Sequence, residues 1–86
     1  MPNAMKLFGK QVRTLRMERG ISQEQLAELS DVHRNQIGRV ERAELKLSFD
    51  AVIRLSIGLK VKPEELFKLI PQQTHADVDR LWQEMD

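Results

Sequence analysis

Arginine, asparagine and glutamine are concentrated in one short segment of the chain, VHRNQIGRVERAE, at residues 32–44. At about 100° per residue, Ile37 and Val40 would face the core of a helix, and Asn35 and Arg39 would face away from it. Arginine carries a fork of donors that suits O6 and N7 of guanine, and asparagine can pair with N6 and N7 of adenine. This face could therefore read the edges of bases. The alternative is a solvated face, although such faces usually mix Lys with Glu four residues apart.

Two neighbouring side chains and one glycine extend this face. Arg34 falls in the first turn, where its side chain can reach past the helix end, and Gln36 projects to one side. Gly38 removes bulk between the outward residues, which would let the helix enter a groove deeply. The other interpretation of Gly38 is a tolerated weak position that costs about 1 kcal/mol of helix propensity.

A start signal that occurs four times predicts several short helices. Ser22, His33, Ser48 and Lys62 each occupy a cap position between two apolar residues spaced as in a hydrophobic staple. Apolar spacing and the helix terminators then predict five helices, at residues 6–19, 23–30, 34–42, 49–59 and 63–70. No segment alternates like a half-buried strand, so the fold class is all-α. The three residues between the second and third helices suit a helix-turn-helix connection.

The last residues, THADVDRLWQEMD, predict a sixth helix with Thr74 as its N-cap. Four apolar residues recur there at helical spacing: Val78, Leu81, Trp82 and Met85. We expect this stripe either to join two copies of the chain or to fold back onto its own domain. A separate protein partner on the same helix is a further hypothesis.

Composition predicts one soluble globular domain, because hydrophobic residues make up 41% and charged residues 31% of 86 residues. The chain has no cysteine, which excludes disulfides and thiolate metal sites. No apolar run has membrane-spanning length and no leader is evident, so we expect a cytoplasmic protein. Residues 1–5 are set aside as an expression remnant or a disordered start, residues 6–70 form the domain, and residues 71–86 form an acidic tail.

Charge is distributed unevenly along the chain. Residues 1–70 hold 13 Lys and Arg against 9 Asp and Glu, a net +4, whereas residues 71–86 hold 1 against 4, a net −3. A basic body followed by an acidic tail fits a polyanion-binding domain with an appended segment of different function. A random surface distribution is the alternative.

Three segments, LRMERGISQEQLA, IGRVER and VKPEELF, resemble the lambda-repressor/Cro-like, or Xre-type, helix-turn-helix regulators over residues 7–67. The resemblance implies a compact five-helix domain whose third helix enters the major groove of double-stranded DNA, usually as a symmetric dimer. It implies base contacts by Arg34, Asn35 and Arg39, with Gln36 as a further candidate. It also implies phosphate contacts by Gln23, His33, Arg42 and Lys46, and a structural salt bridge between Arg16 and Glu41.

The chain departs from this family at two turns. Asp31 stands where the family usually has glycine between the two motif helices, and aspartate tolerates a left-handed backbone. Ala43 stands at a second glycine position, after the third helix. Alanine is a poor left-handed cap, so we expect this helix to end differently or to run on.

The leading hypothesis is a homodimeric regulator that reads a pseudo-palindromic operator. VHRNQIGRVER is also similar to the recognition segment of controller proteins of restriction-modification systems, and an antitoxin of similar size remains an alternative. A protein-interaction module with the same fold is a second class. An enzyme is disfavoured, because His33 and His75 are isolated and no nucleophile–base pair, metal-ligand spacing or phosphate-binding glycine loop occurs. We therefore predict no cofactor and no metal.

Overall fold

The computed structural model describes residues 3–70 and 75–85, with side chains described for residues 3–70 and 78–85. The described residues form four α-helices, a short 3₁₀ helix and a C-terminal α-helix. In chain order these are α1 (Ala4–Glu18), α2 (Gln23–Ser30), α3 (Arg34–Glu41), α4 (Phe49–Leu59), the 3₁₀ helix (Pro63–Phe67) and α5 (His75–Glu84). The predicted all-α fold class is confirmed.

Helix α1 begins two residues earlier than the sequence pattern predicts. The side chain of Asn3 accepts a hydrogen bond of 3.2 Å from the backbone N–H of Lys6 and caps the first turn. Asn3 is therefore the N-cap of α1, and Ala4 and Met5 lie in its first turn. At the other end α1 stops at Glu18, and Gly20 takes the left-handed conformation with φ 64°.

Helices α2 and α3 are joined by a turn that Asp31 makes possible. Asp31 has φ 52° and ψ 44°, the left-handed conformation that aspartate tolerates better than most residues. Helix α2 opens with the predicted capping box, in which Ser22 and Gln25 exchange hydrogen bonds between side chain and backbone. Ala27 is 8% exposed on the buried side of α2. The predicted helix-turn-helix geometry is thus present.

Helix α3 ends where glycine would be expected, although the residue there is alanine. Ala43 has φ 60°. Its backbone N–H donates to the carbonyl of Val40 at 3.0 Å, and the backbone N–H of Glu44 donates to the carbonyl of Arg39 at 2.7 Å. These two bonds form a Schellman motif. The expectation that alanine would change or delay the helix end is wrong, because the motif satisfies the free carbonyls despite the strain of a left-handed Cβ.

The fifth predicted helix is shorter and tighter than expected. Residues Pro63–Phe67 form a 3₁₀ helix, and Lys62 precedes it without a side-chain cap. Two local features limit this element: Pro63 lacks an N–H, and Ile70 precedes Pro71, which disfavours a helical conformation at Ile70. The prediction of a helix over residues 63–70 is therefore wrong in its type and in its C-terminal end.

The core lies between α1, α2, α3 and α4 and is closed by the 3₁₀ helix. Gly58 permits a close crossing of α4 and α2, because a Cβ there would lie 2.0 Å from Oγ of Ser30 on α2. The buried apolar residues, each at most 8% exposed, are Val12, Leu15, Leu26, Ala27, Val32, Ile37, Val40, Ala51, Leu55, Leu59 and Leu66. Every side chain that the 3.6-residue pattern assigned to the inward face of α3 is in this set. The outward face of α3 is therefore fixed in direction.

Helix α5 begins at His75, so the predicted sixth helix is present, whereas its predicted cap, Thr74, lies outside the described residues. Its apolar stripe is exposed: Val78 by 48%, Leu81 by 58%, Trp82 by 68% and Met85 by 74%. Within the described parts of the chain, none of the helices has the length and hydropathy that crossing a membrane requires.

Candidate nucleic-acid interface

A polar concave surface of about 420 Å³ lies on the outward side of α2 and α3. Six residues line it: Gln23, Arg34, Asn35, Gly38, Arg39 and Arg42. Five of these residues are candidate DNA contacts that the sequence predicts, and the sixth, Gly38, lies among them. We call this the recognition surface. It joins the start of α2 to the whole outward face of α3.

His33 fixes the start of α3. Its Nδ1 accepts a hydrogen bond of 3.1 Å from the backbone N–H of Asn35, so His33 is the N-cap that the sequence predicts. A neutral imidazole that accepts at Nδ1 carries its proton on Nε2. The Nε2–H group is therefore available as a donor beside the N-terminus of α3, where the helix dipole favours an anion.

A buried ion pair anchors the inner side of α3 to α1. Arg16 donates from Nε to Oε2 of Glu41 at 2.7 Å and from Nη2 to Oε1 at 3.0 Å, a bidentate arrangement. The two side chains are only 13% and 4% exposed. The hydrogen bond to Glu41 is the main reason why the pKa of Arg16 is raised above its ordinary value. The structural salt bridge predicted from the sequence is present.

Gln23 connects this ion pair to the recognition surface. Its Nε2 donates to Oε1 of Glu41 at 3.2 Å, and its side chain also lines the recognition surface. Arg16 donates in addition to the carbonyl of Ile21, at 2.9 Å, just before α2. The same carboxylate thus holds α1, the start of α2 and the end of α3 in one arrangement.

Two acidic side chains from outside α3 pair with arginines of the recognition surface. Arg34 donates to Glu24 of α2, and Arg42 donates to both oxygens of Glu44, at 3.0 and 3.2 Å. The hydrogen bond from Arg42 holds the pKa of Glu44 below its usual value, and the same pair raises the pKa of Arg42. The sequence pattern missed both acids as partners because neither lies on α3.

Gly38 leaves room for two side chains that approach each other across α3. A Cβ at Gly38 would lie 3.1 Å from Nη1 of Arg42 and 3.4 Å from Oε1 of Gln23. These contacts are tight but involve flexible side chains that can move. Glycine therefore provides space above the middle of α3, and the backbone conformation at this position does not require it.

Three predicted contact residues lie outside the recognition surface. Gln36 and His33 are exposed at the N-terminal end of α3 but do not line it. Lys46 lies in the loop before α4, on the edge of a separate apolar groove of about 310 Å³. We call this the apolar groove; Ala4, Met5, Phe8, Leu45, Leu47, Val52, Phe67 and Ile70 complete its lining.

The sequence pattern also missed two exposed apolar side chains on α4. Phe49 is 79% exposed and Ile57 is 67% exposed, and both lie on α4 eight residues, about two turns, apart. Helical spacing marked the inward face of α4 but gave no signal for a second apolar face.

This chain is similar to a helix-turn-helix family and to two control proteins. The family model described as "Helix-turn-helix" matches residues 12–66, which include α2, α3, α4 and the C-terminal half of α1. The control protein C.BamHI of Bacillus amyloliquefaciens is 38% identical over 65 residues, which cover 74% of this chain and 80% of that protein. The control protein C.SmaI of Serratia marcescens is 38% identical over 61 residues, which cover 71% and 73%.

A solved structure agrees with these sequence relatives. The crystal structure of the restriction-modification controller protein C.AhdI from Aeromonas hydrophila is 40% identical and superposes with a TM-score of 0.72. The match covers 73% of this chain and 96% of that chain. It extends the likeness from the motif helices to nearly the whole length of a controller protein.

Proposed function

This chain belongs to the helix-turn-helix family of DNA-binding transcription regulators, and we propose that it binds a pseudo-palindromic operator as a homodimer. Helix α3 would lie in the major groove, and α2 would cross the DNA backbone. The observation that carries this proposal is the recognition surface, which gathers three arginines, an asparagine and a glutamine around the outward side of α3.

Base contacts are assigned to the outward residues of α3. Arg34 and Arg39 suit guanine, Asn35 suits adenine, and Gln36 is a further candidate at the edge of the helix. Gly38 lies beneath Arg42 and Gln23 in the free protein, and it would let a base edge or a sugar approach α3 closely once these side chains move. Discrimination among sequences would come from these side chains, because phosphate contacts carry no direct sequence information.

Phosphate contacts are assigned to groups at the ends of α2 and α3. Gln23 lies at the first residue of α2, Nε2–H of His33 lies at the start of α3, and Arg42 follows its last residue. Lys46, in the loop beyond, is a candidate farther from the recognition surface. The net +4 charge of residues 1–70 would add a general attraction to the DNA backbone.

Arg34 and Arg42 must exchange partners when DNA binds. In the free protein their guanidinium groups are held by Glu24 and Glu44, and all four side chains are at least half exposed. Solvent screens exposed ion pairs of this kind, so phosphate or base acceptors can replace them. The acids would keep both arginines extended over the recognition surface until DNA arrives.

Homodimerisation is proposed because two apolar surfaces are exposed in the single chain. One is the stripe of Val78, Leu81, Trp82 and Met85 on α5, and the other is the pair Phe49 and Ile57 on α4. A symmetric dimer would bury them and would set two copies of α3 about one helical turn of DNA apart. A separate protein partner on α5 is the alternative occupant of that stripe.

The regulated genes are proposed from the relatives. Since C.AhdI is a restriction-modification controller protein with 40% identity over nearly its whole length, we propose that this chain controls genes of such a system in the bacterial cytoplasm. An operator upstream of a methyltransferase or endonuclease gene would agree with this proposal. Strong binding only to unrelated promoters would contradict it.

Fluorescence anisotropy at several salt concentrations tests the DNA-binding proposal. We expect Arg42→Ala to lower the slope of log K against log salt by about 1 at every sequence, as loss of one phosphate contact does. Arg39→Ala should instead reduce the preference for the operator over random duplex. Arg13→Ala, which removes an exposed arginine outside the recognition surface, is the matched control. Equal effects of all three substitutions would contradict the assignment.

A further inference from the structure

The apolar groove and the apolar stripe of α5 are both open to solvent within one chain. The groove lies between the N-terminal part of α1, the loop before α4 and the 3₁₀ helix. The stripe side chains on α5 are 48–74% exposed, so α5 does not cover the groove of its own chain. Two exposed apolar surfaces in one small domain indicate a contact that a single copy does not make.

We propose that α5 of one copy docks into the apolar groove of a second copy, and that the second copy returns the same contact. The proposal rests on the homodimer of the proposed function and adds a contact to it, beside the exposed pair Phe49 and Ile57 on α4. Reciprocal exchange of an element is compatible with two-fold symmetry, since each surface meets its complement once in each copy. The stripe repeats at i, i+3, i+4 and i+7, the spacing by which a helix fills an apolar groove.

Charge supports this occupant over an unrelated apolar partner. Residues 71–86 carry a net −3, opposite in sign to the net +4 of residues 1–70, nine of which line the groove. Lys46 is among the groove-lining residues, and Asp79 and Glu84 are exposed on α5. Apolar packing in the centre with opposite charges at the edge is the usual composition of a specific protein interface.

Trp82 would be the central anchor of this interface. It is the only tryptophan of the chain and is 68% exposed in the single copy. Buried tryptophans are frequent hot spots, where truncation to alanine costs a factor of about 30 or more in affinity. We therefore expect Trp82→Ala to raise the dissociation constant of the dimer by at least about 30-fold.

The emission of Trp82 in the natural chain reports this burial directly. We expect its maximum to move to shorter wavelength as protein concentration rises, in parallel with dimer formation measured by sedimentation. A long-wavelength maximum at concentrations where the dimer is complete would overturn the proposal. So would a short-wavelength maximum that persists in the fully dissociated monomer, because it would mean that α5 folds onto its own groove.

Cysteine cross-linking identifies the two surfaces, because the natural chain contains no cysteine. In the double variant Leu47→Cys/Leu81→Cys, one thiol lies in the apolar groove and the other on α5. Under mild oxidation we expect covalent dimers with disulfides between Cys at position 47 of one copy and position 81 of the other. The control Met17→Cys/Leu81→Cys places the first thiol at the far end of α1, where Met17 is 59% exposed, and should form few cross-links.

The outcomes of cross-linking separate this proposal from the proposed function. Disulfides within one chain, or cross-linking no faster than in the control, would overturn the exchange of α5. In either case salt-dependent operator binding by the natural chain would leave the DNA-binding proposal intact. Non-reducing electrophoresis and mass spectrometry of the linked peptides give the readout, and circular dichroism checks that both variants remain helical.

Discussion

Replacement of Arg16 by methionine should destabilise the protein far more than any other loss of an ion pair in the described structure. Arg16 and Glu41 are 13% and 4% exposed, and two hydrogen bonds of 2.7 and 3.0 Å join them. Methionine would leave the carboxylate of Glu41 buried with only Gln23 as a side-chain donor. Removal of one partner from a buried pair costs about 3–5 kcal/mol.

That loss would be a large share of the total stability. A domain of this length is expected to have a free energy of unfolding of roughly 5–12 kcal/mol. Urea unfolding followed by circular dichroism at 222 nm, with a common m-value, would measure the difference. We expect a clear fall of the midpoint for Arg16→Met, together with weaker operator binding, because Glu41 also positions the end of α3.

An exposed ion pair provides the matched control. Arg34→Met removes the partner of Glu24, and these two side chains are 62% and 68% exposed, so the expected loss is below about 1 kcal/mol. The double variant Arg16→Met/Glu41→Leu should recover much of the stability, since no charge then stays buried alone. If Arg16→Met is no more destabilised than Arg34→Met, the reasoning about burial is refuted.

Three further predictions concern individual positions. Gly9→Ala should lower the free energy of unfolding by roughly 1–3 kcal/mol in urea titrations, because the Cβ of the alanine would lie 2.2 Å from the carbonyl oxygen of Val40. A higher free energy of unfolding, as helix propensity alone would give, would contradict this prediction. Ala43→Gly should raise that free energy by about 1 kcal/mol by relieving a left-handed alanine at φ 60°, and an unchanged midpoint would show that the strain is absent. In an NMR pH titration the pKa of Glu44 should lie below the ordinary glutamate value, and Arg42→Ala should raise it. The stabilisation from this pair is therefore present above the pKa that Glu44 has in the unfolded chain, and it is lost as the pH falls through the lower pKa of the folded protein. An unshifted pKa of Glu44 would refute the pairing in solution.

Helices with complete local signals were predicted to the residue. Both α2 and α4 have a serine cap before them and apolar residues at helical spacing within them, and their observed bounds equal the predicted ones. The direction of α3 followed from Ile37 and Val40 alone, because the two residues that face the core leave one possible outward face. Local capping and periodicity therefore suffice where each helix is amphipathic.

Predictions failed where the decisive contacts are ones that apolar spacing within a helix does not encode. The end of α3 at Ala43 depends on two hydrogen bonds of a Schellman motif, which outweigh the low preference of alanine for the left-handed region. The partners of Arg34 and Arg42 lie on α2 and in a loop, so no pattern within α3 could show them. Likewise, apolar spacing marks the inward face of α4 but gives no signal for Phe49, which is 79% exposed.

Whether the recognition surface reads DNA sequence is tested most simply by selecting binding sites from random duplex DNA. The natural chain and Arg39→Ala are compared in parallel at near-physiological salt. We predict an enriched inverted repeat with half-sites about one helical turn apart, and one base position in each half-site that is relaxed in Arg39→Ala. If no sequence is enriched and binding simply declines with salt, the recognition surface is a general basic face and the chain is not a sequence-specific regulator.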